Sequence, residues 1–87
     1  MDKYKINEVL DKLTVKEYRF ALREIPGILQ VSVNTFHNYR KIKSGEPQDI
    51  PYEKVKQLEI LFGMENGALA NEKMNGKSLV ELFKGQY

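Results

Sequence analysis

Apolar residues recur along this chain at helical spacing, and polar punctuation separates one run from the next. Ile6, Val9, Leu10 and Leu13 fall at i, i+3, i+4 and i+7, which predicts an amphipathic helix over residues 4–13. Thr14 and Glu17 then form a capping box, in which the hydroxyl caps an amide three residues on and the carboxylate reaches back. A second helix is expected from Val15 to about Glu24, with Val15, Tyr18, Ala21, Leu22 and Ile25 buried and Lys16, Arg19 and Arg23 on the polar side. Pro26 lacks an N–H and biases Ile25 away from helical angles. It therefore predicts a break, followed by a very short helix over residues 26–30.

The stretch from 22 to 41 reads as two short helices joined by a tight turn. Ile25 and Leu29 share a face of the first, Val31 lies in the turn, and Phe36 and Tyr39 share the inner face of the second. Ser32 is the expected N-cap of that second helix, over residues 32–41. Residues 31, 33 and 35 also alternate as in a strand, but no second strand exists to pair with it. Residues 44–51 form a loop by composition. Pro51 opens the next helix, in which Val55, Leu58, Leu61 and Phe62 make the apolar face and Gly63 is the stop. One more turn is expected around Ala68 and Leu69 in residues 66–71. Residues 72–77 read as a flexible polar link, and Ser78 caps a last amphipathic turn carrying Leu79, Leu82 and Phe83. The expected fold class is all-α: a small bundle of about five short helices, with one domain over residues 1–71 and a link plus terminal turn over 72–87.

Hydrophobic residues make up 41% and charged residues 30% of the 87, the mix of a globular rather than a disordered chain. Cysteine is absent, which removes disulfides, thiol chemistry and Cys-type zinc sites and fits a reducing compartment. No apolar run is long enough to span a membrane, and the first residues lack the apolar core of a signal peptide, so a cytoplasmic location is expected. Net charge is only +2, but its distribution is uneven. Residues 1–43 hold nine Lys/Arg against five Asp/Glu, a balance of +4; residues 44–87 hold five against seven, a balance of −2. The basic excess lies in the half carrying the paired helices.

Reactive chemistry is sparse. His37 is the sole histidine, so no His pair can hold a metal. Ser32 and His37, five apart on one helix, point to different sides and make no catalytic pair. The six glycines form neither a dinucleotide fingerprint nor a phosphate loop. No enzyme, metal, cofactor or small-molecule ligand is expected. The outer face of the helix over 32–41 instead gathers Asn34, His37, Asn38 and Lys41, side chains that hydrogen-bond base edges and phosphates. Val33 is expected to be exposed at its start, where a valine can meet a thymine methyl. Arg40, Lys41 and Lys43 suit the negative end of its dipole.

The segment LQVSVNTFHNYR, through Leu29, Val31, Ser32, Thr35 and Phe36, resembles the core of the lambda repressor-like (Cro/XRE) helix-turn-helix family. The resemblance covers roughly residues 15–69, with Ile50, Leu58 and Phe62 as the supporting fourth helix. Two positions depart from it: Gln30 stands where the family's turn has Gly, and Pro26 where it has a small residue. Gln30 is expected to re-angle the turn and Pro26 to shorten the first motif helix. The resemblance implies a recognition helix over residues 32–41 lying in the major groove of double-stranded DNA. Asn34 would contact adenine, and Asn38 and His37 base edges or phosphate. Ser32, Arg40, Lys41 and Lys43 would position the DNA backbone. It further implies a transcriptional regulator, most simply a repressor, with a homodimer as a candidate state. The alternative is a helical protein-interaction module that does not bind DNA and uses the C-terminal apolar stripe or the Val33 face.

Overall fold

The computed structural model describes residues 1–71 and 78–85; the expected link over 72–77 lies outside the described residues. The fold is all-α, with helices α1 (Ile6–Asp11), α2 (Val15–Leu29), α3 (Val33–Lys41), α4 (Tyr52–Leu61) and α5 (Leu79–Lys84). The caps form where the sequence places them. Thr14 Oγ1 accepts from Glu17 N at 3.2 Å while Glu17 Oε1 accepts from Thr14 N at 2.9 Å. Ser32 Oγ accepts from Thr35 N at 3.0 Å, and Ser78 Oγ from Glu81 N at 3.2 Å. Each satisfies an amide that the first helical turn leaves without a partner.

α2 is the hub, packing against α1, α3 and α4. Ile6 and Leu10 of α1, Ile25 and Leu29 of α2, Phe36 of α3 and Leu58 of α4 are buried together with Ile42, Ile50 and Leu69. The expected break at Pro26 does not occur: α2 runs through it to Leu29. Proline removes one backbone bond and disfavours helical angles at Ile25. Continuing the helix, however, buries Ile25, Pro26 and Leu29 on one side, and the apolar surface removed from water outweighs that loss. The helix ends instead at Gln30, which stands in the left-handed region at φ 57°. Gln30 N donates to Gly27 O at 3.2 Å and Val31 N to Pro26 O at 3.0 Å, the paired bonds of a Schellman motif.

Three further expectations are corrected. Val15 is exposed rather than buried, because it is the first helical residue, a turn before Tyr18, where the stripe packed on the core begins. Leu61, assigned to the apolar face of α4, is exposed as well, while Leu58 carries the burial. Residues 66–71 form no helix. Their backbone groups are committed elsewhere, because residues 1–5 run extended between two segments and α1 starts only at Ile6. Isolated antiparallel bridges pair Asp2 with Lys43 and Tyr4 with Ala70. Lys3 N donates to Ile42 O at 3.0 Å, Lys5 N to Leu69 O at 2.8 Å, and Asn71 N to Lys3 O at 2.9 Å. Tyr4 is buried, and its hydroxyl donates to the Asp49 carboxylate, which also accepts from Ile50 N at 2.8 Å. Burial, and then the Asp49 carboxylate, push the Tyr4 phenol well above its usual range.

Glu59 is the one buried charged residue among those described. Its carboxylate accepts from Leu69 N at 3.1 Å and from Lys56 Nζ at 3.1 Å, fastening the segment after α4 to the helix. Burial pushes the carboxyl up, but the Leu69 amide and the Lys56 ammonium together outweigh it and hold the group below the usual glutamate value. A lowered native pKa contributes stability above the unfolded value that is lost as pH falls through the native one. Glu59→Gln should therefore be less stable than the parent at neutral pH, by about 1–3 kcal/mol, and the gap should narrow below the ordinary glutamate range; urea titrations across pH check this. Phe36→Ala should cost about 3–5 kcal/mol, a large part of the stability of so small a domain. A Phe36→Ala midpoint matching the parent's would remove Phe36 from the core.

Candidate functional site

α3 divides its residues cleanly between inside and outside. Phe36 is buried and Tyr39 packs against the core, while Val33, Asn34, Asn38 and Lys41 are exposed. Asn34, Asn38 and Lys41 are spaced i, i+4 and i+7, so they form one stripe along the helix. Their side chains have no hydrogen-bond partner among the described residues. They are open to an external ligand along the whole length of α3.

The other candidates are already engaged. Ser32 spends its oxygen on the cap and donates to Thr35 Oγ1 at 2.9 Å. Lys43 Nζ pairs with Asp2 Oδ1 at 2.5 Å, and that ammonium, working against a smaller effect of burial, holds the Asp2 carboxyl below its usual value. Arg40 is gripped by Asn7 of α1: its Nε donates to Asn7 Oδ1 at 2.8 Å, while Asn7 Nδ2 donates to the Arg40 carbonyl at 3.0 Å. Arg40 Nη1 also meets His37 Nδ1 at 3.2 Å. Arginine can only donate, so His37 Nδ1 accepts, which puts the proton of the neutral ring on Nε2.

Asn7, His37, Arg40 and Lys41 thereby line a small cleft of about 240 Å³ at the C-terminal end of α3. It holds two cationic heads, one fixed by neighbours and one free. Asn7 is the member that sequence reasoning missed. The only signal for it is an amide on α1 that no cap or turn explains, because its partner is 33 residues away.

The chemistry this surface can perform is binding by charge and hydrogen bonding. Among the described residues no group of three His, Cys, Asp or Glu could hold a metal ion. No helix among them is long and apolar enough to cross a membrane.

No protein-family model, curated protein or solved structure matches the chain. Asn7→Ala should cost about 1–3 kcal/mol in urea unfolding, because it leaves the part-buried Arg40 carbonyl and guanidinium short of partners. A cost no larger than that of an ordinary surface substitution would mean that Asn7 does not hold α1 to α3.

Proposed function

We propose that the chain binds double-stranded DNA in a sequence-specific way, laying α3 in the major groove as the second helix of a helix-turn-helix, and acts as a transcriptional regulator, most simply a repressor. The observation that carries this reading is the unpartnered stripe of Asn34, Asn38 and Lys41 on a helix whose opposite side packs on the core through Phe36 and Tyr39. Asparagine offers a donor and an acceptor together, the pair that adenine presents in the major groove. Val33, exposed beside Asn34 at the start of α3, suits a thymine methyl.

The cations fit a positioning role. Lys41 is free to meet a phosphate, and Arg40, held by Asn7, brings a pre-oriented guanidinium with little further entropy to lose. The basic balance of residues 1–43 supplies attraction at longer range. The resemblance of residues 15–69 to the lambda repressor-like family supports the same docking. Two copies on mirrored half-sites about one helical turn apart would supply the affinity that one small domain lacks.

Selection from a random duplex library, followed by binding measurements over a salt series, tests the reading. Asn34→Ala should cost roughly 1–3 kcal/mol on the preferred sequence and relax the preference, whereas Lys41→Ala should weaken all sequences alike and lower the salt slope. Salt-independent association, or none, would replace DNA binding with the protein-interaction alternative.

A further inference from the structure

We propose that the cleft between α1 and α3 seats one phosphate of the DNA backbone, and that Asn7, outside the paired helices, positions Arg40 for it. This rests on the DNA-binding reading and adds α1 to the bound surface. Arg40 is part-buried, and a charge taken even partly out of water is ordinarily matched by an opposite one. Here the groups that grip it are neutral: Asn7 Oδ1 accepts from Nε at 2.8 Å, and His37 Nδ1 from Nη1 at 3.2 Å. Among the described residues neither Arg40 nor Lys41 forms an ion pair. The Asp2 carboxylate reaches Asn7 rather than Arg40, accepting from Asn7 Nδ2 at 3.4 Å, and its charge is already matched by Lys43. Arg40 is thus fixed in direction while its whole positive charge stays unspent.

The side chains that line the cleft offer donors. Arg40 keeps both Nη2 hydrogens, Lys41 its whole ammonium and His37 the hydrogen on Nε2, whereas the Asn7 oxygen is taken by Arg40. An oxyanion completes such a set, most strongly where its oxygens meet a planar guanidinium. The volume, about 240 Å³, lies below the roughly 300–1,000 Å³ of small-molecule pockets, which suits a phosphate group and not a whole nucleotide. Position selects the source of that phosphate. Lys41 belongs both to the cleft and to the open stripe with Asn34 and Asn38. A helix of nine residues is about 13 Å long, slightly more than the roughly 12 Å width of the major groove. With its first turn on the bases, the last turn of α3 reaches the edge of the groove, where the backbone runs. His37 then serves the phosphate, and base reading is left to Asn34 and Asn38.

The test scans the preferred duplex, replacing one phosphate at a time by an uncharged methylphosphonate and measuring affinity by fluorescence anisotropy. Variants are compared at a temperature where their helical circular dichroism equals the parent's. For the parent, one position per bound chain should cost about tenfold or more, the scale of a hydrogen bond to a charged group. Arg40→Gln should erase the penalty at that position and leave the others in place. Asn7→Asp sets a carboxylate of the same size beside Arg40, cancelling its charge where it stands, and should erase the same penalty. Asn7→Ala leaves the charge but frees its direction, so it should shrink that penalty alone, with the salt slope near the parent's. A residue that only held α1 to α3 would instead lower affinity for every duplex of the scan alike. That outcome, or a flat scan of a chain that binds the duplex, would overturn the phosphate assignment and leave the DNA-binding reading standing. A parent chain that binds no duplex would overturn both. Inorganic phosphate should not displace the duplex at matched ionic strength; displacement would make the cleft a site for free phosphate and overturn the backbone assignment.

Discussion

Gln30 stands at φ 57° and ψ 42° between the hub helix and α3, a conformation that costs a non-glycine residue roughly 1–2 kcal/mol. The fold accepts that cost because stopping α2 there satisfies its last carbonyls and lets Leu29 and Phe36 enter the same core. One turn later α3 would start from the wrong side of the hub, and the stripe of Asn34, Asn38 and Lys41 would face elsewhere. The direction of the outward face of α3 is therefore set by a backbone angle at one residue that is not itself part of that helix. α2 packs against three other helices, so its endpoint also decides what α1 and α4 can cover.

The parts of this structure governed by neighbours in sequence were legible in it. The Thr14 box and the Ser32 and Ser78 caps act over three residues, and the buried pairs Ile6 and Leu10, or Ile25 and Leu29, lie one turn apart. Pro26 misled because its effect on the local backbone is real but smaller than the burial of the side it occupies. The bridges from Asp2 and Tyr4, and the grip of Glu59 on Leu69, join positions that no periodicity connects. In retrospect Lys3-Tyr4-Lys5-Ile6 does alternate polar and apolar residues, but four residues beside a helical pattern are easily absorbed into it.

The candidate surface divides the same way. Which residues of α3 face outward follows from a period of 3.6 and could be read directly. Which of them remain free could not, because that depends on Asn7 and Asp2 arriving from the start of the chain to occupy Arg40 and Lys43. The eight candidate residues thus separate into an open set and a restrained set. A restrained cation beside a free one is a different instrument from two free ones: the first sets an angle and the second adjusts to it.

The extended segment over residues 1–5 takes its partners from residues 42–44 and 69–71. During synthesis residues 1–5 precede both partner segments, and the second of these emerges only after α4 is complete. α1, α2 and α3 depend mostly on near neighbours and can assemble as they emerge. Residues 1–3 can pair with 42–44 once α3 is made, but Tyr4 and Lys5 lack their backbone partners until Leu69 and Ala70 are in place. Closure of the domain is thus a late event in its synthesis, and the segment that precedes its first helix is among the last to be fixed.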